Sequence, residues 1–393
     1  MVTPLVSRLR WLVVIVSILL SAIRYPLSAA FADTPQEIRV LILQDADSFN
    51  LRVKGPYKIT DYAAKKCFAT GSNLNTTVTA YNEGIILGGE GFSVDRLRFV
   101  PADSQETIIN GRRFRGQMGF IKDRNNRLAI VNHIGLEDYI RGILYHEVSH
   151  YWPMEALNAQ AIACRSYAAY QKELNKAKDY DLTSDMYSQV YGGRTSERYR
   201  SSIAVDKTRG LIIAYKGKPL AAFFHATCAG HTEDASLLWN IDLAPLKGVK
   251  CDFCKKSPHY KWDCVLPLRE FRDKLNKAGY ALKDVQDIAI AGRDASGRVT
   301  DLEVKTLAGL VKIPADKLRI ILGPNMIRSA NFTAVPLGSD VVFEGLGWGH
   351  GVGMCQWGAY FMAKEGYNYK DILAYYYPGT KIQSINKAQD ASF

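Results

Sequence analysis

Residues 37–131 read as a succession of β-rich runs. Ile38 to Leu43, Thr76 to Tyr81, Leu97 to Val100 and Leu128 to Val131 carry the β-branched, aromatic and other apolar residues that strands favour. Turn residues separate them, as at Gly88-Gly89-Glu90-Gly91 and Asp123-Arg124-Asn125-Asn126. The pattern predicts a small β-rich module over residues 33–131. From Leu136 the period changes. Leu136, Ile140, Ile143 and Leu144 recur at helical spacing and predict a short amphipathic helix starting near Glu137 and Asp138. Pro153 is well placed as the first residue of a second helix, which runs from Met154 to about Lys176. Alanines at 156, 159, 161, 163, 168 and 169 let that helix approach its neighbours closely, so it reads as core.

Strands are predicted over Gly210–Tyr215 and Leu220–His225. A helix near Arg269–Ala278 and several strands fall within residues 266–344. Helices return around Gln356–Glu365 and Tyr369–Tyr376, the second closed by Pro378-Gly379. The sum is an α+β protein. Residues 132–382 form a mixed domain around the alanine-rich helix, with 266–344 as an α/β insertion or subdomain and 383–393 as a tail. No internal repeat is visible.

Composition alters this picture little. Over 393 residues, 47% hydrophobic and 23% charged fit a folded chain. Charge says more. Fifty Lys and Arg against 39 Asp and Glu leave a net +11, which suits an anionic partner. The N-terminus narrows the choice. Arg8 and Arg10 precede an apolar run, Trp11 to Ala22, interrupted by Arg24 and followed by Ala30-Phe31-Ala32. The run is short of the roughly 20 residues that a bilayer span needs. Residues 1–32 therefore read as a signal peptide cut before Asp33; an uncleaved membrane anchor is the other reading. Either one exports the rest of the chain, to the periplasm or the outer face of the cytoplasmic membrane. Nucleic acid is excluded as a partner on that ground, and envelope material becomes the anion.

Of seven cysteines, four fall between Cys228 and Cys264. His225-x-x-Cys228 and Cys251-x-x-Cys254 are two short chelate pairs, a Cys₃His set that suits closed tetrahedral zinc. Four protein ligands leave no open position, so this zinc is structural. Disulfides, such as Cys228–Cys264, or free thiols are the alternatives. Lys255 after the second pair excludes c-type haem.

His146-Glu147-Val148-Ser149-His150 matches the H-E-x-x-H signature of zinc peptidases, in which two histidines on one helical face hold the metal. The signature needs an uninterrupted helix. Pro153 disfavours helix at Trp152, and Pro153 and Ala156 stand where the extended motif has Gly and a third His. The match is read as accidental, with a metallopeptidase kept as an alternative function.

Four motifs occur in order. They are Glu147 through Tyr167; Asp185-Met186-Tyr187-Ser188-Gln189-Val190-Tyr191-Gly192; Cys228-Ala229-Gly230-His231-Thr232-Glu233; and Gly347 through Gly358, with Tyr375-Tyr376-Tyr377-Pro378-Gly379 behind it. Together, over about residues 132–382, they resemble the stage II sporulation protein D family, also called the amidase-enhancer family. Val148-Ser149 stands where the family usually has Met-Pro, and Cys164-Arg165-Ser166 where it has Ala-Arg-Thr. The resemblance implies a lytic transglycosylase that cuts peptidoglycan glycan strands, or a non-catalytic enhancer of a cell-wall amidase. It implies Glu147 as the catalytic acid.

Chemistry supports that assignment in part. A glycoside hydrolase needs two carboxylates. A lytic transglycosylase manages with one, because the sugar's own C6 hydroxyl attacks C1 and the same glutamate can take its proton. Glu155 sits in a first helical turn, where the helix dipole alone explains it. Gln160, Asp185, Gln189, Tyr191, His350 and Gln356 are the candidate substrate-binding residues. The alternating glycines from Gly345 to Gly353 form either a tightly packed strand or a groove wall. Trp348 and Trp357 either stack on sugars or fill the core. Arg165 either pairs with a buried acid or meets the substrate's lactyl carboxylate.

Overall fold

The computed structural model describes residues 36–102, 105–185 and 188–389. The expected signal peptide and its cleavage point lie outside the described residues. Within the described residues, no helix is long and apolar enough to cross a membrane.

Phe49, Leu51 and Val53 are buried and alternate with exposed Asn50 and Arg52 along the strand Ser48–Asp61. A period of two sets one face of the strand on the core. Repeated through residues 37–135, the pattern gives ten strands of an eleven-stranded sheet. Glu37–Ala46 lies beside Leu128–Gly135, and the sheet continues through Gln117–Lys122 and Arg96–Pro101 to the long hairpin of Ser48–Asp61 and Cys67–Tyr81. Val40 and Leu41 add a short parallel contact with Leu182 and Thr183. The fold is α+β, as the periodicities predict.

The helix Leu136–Glu147 leaves the strand Leu128–Gly135 directly and buries Tyr139, Ile140, Ile143 and Leu144. It stops at Glu147 because Val148 turns extended, at φ −144° and ψ 152°. The next helix, Met154–Leu174, is buried without a break from Ala156 to Ala169. Leu157, Ala161, Cys164 and Ala168 face the core of the β-rich part. Ala159, Ile162 and Ala163 face a second core with Val352, Met354 and Tyr377. Small residues on both sides let one helix serve two cores. Arg165 on this helix is fully buried, and its Nε and Nη2 donate to Glu137 over 2.9 and 2.7 Å. Of its two readings, the buried ion pair holds.

Residues 262–343 gather a third core around Phe271, Leu302, Phe332 and Phe343. It has two three-stranded antiparallel sheets and the helices Leu268–Lys277 and Ala315–Leu322. Two expectations change. Leu220–His225 is not one strand, since only Phe224–His225 pairs, in parallel with Met354–Cys355. Residues 381–384, partly in the expected tail, form a strand against Leu211–Ala214 and lead into the helix Ile385–Gln389.

Past Gly345, which lies in the strand Asp340–Leu346, the alternating glycines do not form a strand. Gly347, Gly349, Gly351 and Gly353 all have positive φ, between 72° and 112°. A Cβ at Gly347 would strike the Thr227 carbonyl oxygen at 2.5 Å, and one at Gly353 would strike that of Phe223. Only glycine tolerates both the dihedral and the approach. The segment is a coiled loop laid on residues 223–228.

Candidate active site

Glu147 is the last residue of its helix and stands half-buried at the wall of a cavity of about 940 Å³. Tyr167, Asp185, Gln189, Glu233, Trp239, Arg298 and His350 also line it. Burial lifts the Glu147 carboxyl to about 7, although the Val190 backbone N–H hydrogen-bonds to it and opposes the rise. A carboxyl near neutrality can both give and take a proton at physiological pH.

The remaining expected residues divide. Gln356 lines the cavity and donates through Nε2 to the Glu147 carbonyl oxygen over 3.2 Å and to Gln160 Oε1 over 3.5 Å. Gln160 is buried behind it, its own Nε2 donating to Cys164 Sγ. Gln189 lines the cavity, but its side chain ties the loop to the helices: it accepts from the Tyr139 hydroxyl at 3.0 Å. Asp185 is at the cavity and accepts from the Thr183 hydroxyl at 2.9 Å.

Tyr191 is a core residue and does not line the cavity. Its hydroxyl donates to Asn132 Oδ1 over 2.8 Å, and its ring packs on Tyr139 and Phe114. His350 is at the cavity, held by the Val352 N–H, which donates to Nδ1 over 3.1 Å. Burial, with the Arg319 charge adding to it, pushes His350 down to about 3, so the ring is neutral. Trp348 lines the cavity, whereas Trp357 packs on Trp152 and Tyr360.

Three residues at the cavity carry no expectation from the sequence. Glu233 is buried, and desolvation raises its carboxyl to about 7 against the pull of Arg298. Its Oε1 accepts from the Asp234 N–H and its Oε2 from the Ser296 hydroxyl, each at 2.8 Å. Arg298 is buried too, donating to the carbonyl oxygens of Cys228 and His231 over 3.1 Å. Trp239 is partly exposed, with its ring 4.5 Å from that of Phe223 and 4.9 Å from His350. Glu233 ends one of the four motifs, which was its only signal. Arg298 comes from the 262–343 segment, and nothing local marks it.

The H-E-x-x-H pattern does not form a metal site. The helix ends between the two histidines. His146 Nε2 is 2.6 Å from Ser196 Oγ, while His150 stacks on Tyr151 with centroids 4.0 Å apart. The cysteines do cluster, but with one member different from the expected set. Among the described residues, Cys228, Cys251, Cys254 and Cys355 have sulfurs all within 4.8 Å of one another. His225 is not with them. It lines the cavity, its Nδ1 donating to the Val352 carbonyl oxygen over 3.1 Å. Cys355 stands in its place.

A mixed α+β scaffold thus presents two near-neutral glutamates, half-buried Glu147 and buried Glu233, at an aromatic and polar cleft. Comparison with known proteins supplies the family. Residues 124–215 match the sequence profile described as stage II sporulation protein, and residues 247–353 match one described as a domain of unknown function. Stage II sporulation protein D of Bacillus subtilis is 33% identical over 282 residues, covering 65% of this chain and 76% of that protein. An uncharacterized protein of Brachyspira hyodysenteriae is 33% identical over 353 residues, covering 89% of this chain and 94% of its own. The amidase enhancer of Bacillus subtilis is 25% identical over 62% of this chain and 40% of that protein. The chain belongs to the stage II sporulation protein D family.

Proposed function

We propose that the protein is an exported peptidoglycan lytic transglycosylase, acting in the periplasm or at the outer face of the cytoplasmic membrane. It cleaves between N-acetylmuramic acid and N-acetylglucosamine. The observation that carries this reading is the Glu147 carboxyl, lifted by burial to about 7 at the wall of the cavity. Protonated Glu147 gives its proton to the glycosidic oxygen as the bond to C1 breaks. The C6 hydroxyl of the muramic acid then attacks C1, and Glu147 takes that hydroxyl's proton. The product is a 1,6-anhydro ring, no water is consumed, and the glutamate ends as it began.

One carboxylate suffices for that sequence, which matters here. Glu233 is the other near-neutral carboxyl at the cavity, but both its oxygens accept hydrogen bonds from Asp234 and Ser296. It is held as part of the wall with Arg298. A two-carboxylate hydrolase would need it free to activate water. Trp239 and Trp348 supply aromatic faces for sugar rings, and the net +11 charge suits an anionic envelope polymer.

The second reading is a wall-binding protein that stimulates a cell-wall amidase, favoured by the likeness to the amidase enhancer. Mass spectrometry of glycan fragments decides. Anhydro ends that vanish in Glu147→Gln support cleavage. Glycan left intact by the unaltered protein, together with amidase stimulation that Glu147→Gln retains, supports the enhancer.

A further inference from the structure

The four clustered cysteines come from three separate places in the chain. Cys228 lies in the loop after Phe224–His225, Cys251 precedes and Cys254 lies within the short helical turn Phe253–Lys256, and Cys355 precedes the helix Gln356–Lys364. All four are essentially inaccessible to solvent. Zinc–sulfur bonds of about 2.3 Å put the corners of a tetrahedron about 3.8 Å apart. The four sulfurs lie within 4.8 Å of one another, and the Cys228–Cys254 pair is at 3.5 Å.

The surroundings suit thiolates. The Cys228 and Gly358 N–H groups each donate to Cys355 Sγ over 3.3 Å. The Tyr376 hydroxyl lies 3.2 Å from Cys251 Sγ. A Cβ at Gly358 would strike the Tyr376 hydroxyl and come within 3.1 Å of Cys251 Sγ, so the space beside the sulfurs is kept by a glycine. Pairing into disulfides fits less well. Four sulfurs all within 4.8 Å of one another make one group, not two separate couples. Cys264, the expected partner of Cys228, is away on the strand Lys261–Pro267 beside the third core.

We propose that Cys228, Cys251, Cys254 and Cys355 bind one zinc ion as a closed four-thiolate site. The inference is separate from glycan cleavage and is read without it. Four protein ligands leave no open position, so the ion is structural. It clamps the glycine-rich loop at its far end. The residue after Cys355 is Gln356, which reaches the Glu147 carbonyl oxygen, so the clamp also fixes one wall of the cleft.

The test is metal analysis and zinc-edge X-ray absorption on the full purified chain, with variants. We expect about one zinc per chain and a shell of four sulfurs at about 2.3 Å without a nitrogen neighbour. Cys355→Ser should lose at least half the zinc, while His225→Ala keeps it. If Cys355→Ser does not fold, the absorption spectrum of the unaltered protein decides alone. Iron in place of zinc, a three-sulfur, one-nitrogen shell, or a zinc-free chain whose non-reduced mass shows bridges among these cysteines would each overturn the assignment.

Discussion

Gln356 reaches across 209 residues of sequence to the backbone of Glu147, its amide donating to that carbonyl oxygen over 3.2 Å. The same nitrogen also donates to Gln160 Oε1. The glycine-rich loop, the alanine-rich helix and the end of the glutamate's helix therefore meet through one side chain. In the proposed mechanism Gln356 positions Glu147 and does not itself handle protons.

That role has a kinetic signature. A neutral hydrogen bond is worth about 1 kcal/mol, or roughly fivefold in rate. Gln356→Ala should lower kcat of glycan cleavage by about that factor and leave KM nearly unchanged. Steady-state kinetics on a defined glycan check this. A raised KM with kcat intact would make Gln356 a substrate contact instead.

The Arg165–Glu137 pair ties the alanine-rich helix to the helix that ends at Glu147. Two parallel hydrogen bonds join the side chains, and Glu137 also accepts from the Gly210 N–H. Removing one partner of such a pair leaves an uncompensated buried charge, which costs about 3–5 kcal/mol. Glu137→Gln should destabilise the protein by an amount of that order in denaturant unfolding. The double change Arg165→Met with Glu137→Gln should recover part of the loss, because no charge is then stranded.

Some of this was legible in the sequence, for a physical reason. The alanine-rich helix lies in one continuous stretch, so its spacing displayed it, whereas Glu147 was singled out by the resemblance of its motif and not by spacing. Cys355 was missed as a member of the cysteine cluster because chelate spacing sees only neighbours. It lies 101 residues beyond Cys254 in a segment whose glycines drew the attention. Tyr191 looked like a binding residue because it sits in a polar, tyrosine-rich loop. Its hydroxyl instead finds Asn132, a buried acceptor 59 residues away, and no local pattern reports that. Glu233, Arg298 and Trp239 converge on the cavity from separate segments, which only the fold brings together.

The histidines of the H-E-x-x-H match supply a second test of the same lesson. His146 hydrogen-bonds Ser196 and His150 stacks on Tyr151, on either side of the helix end. His146→Ala with His150→Ala should leave the metal content of the protein unchanged. Elemental analysis checks it. Loss of one zinc per chain together with all activity would restore the peptidase reading.

Glu147 itself should reveal its burial in the pH dependence of stability. Its carboxyl is raised from 4.5 to about 7 by desolvation. Below pH 4.5 the group is protonated in both the folded and unfolded chains and contributes no difference. Between 4.5 and about 7 the unfolded chain releases the proton while the folded one holds it, so folding is progressively disfavoured. Above 7 the penalty levels off, because both states are then ionised. Glu147→Gln removes the ionisation and keeps the shape. The variant should match the unaltered protein at pH 4.5, become the more stable of the two as pH rises, and hold a constant advantage above about 7. A shift of one unit is worth about 1.4 kcal/mol. Since Glu147 keeps some contact with water, the plateau should be about 2–3 kcal/mol. Thermal unfolding of both proteins from pH 4.5 to 8.5 measures it. The same titration sets the activity: cleavage should fall above about pH 7 as the acid loses its proton, and the variant should release less than a hundredth of the anhydro fragments. A stability difference that is flat across this range would mean that the Glu147 carboxyl is solvated and has an ordinary acidity, and the acid/base proposal would fall with it.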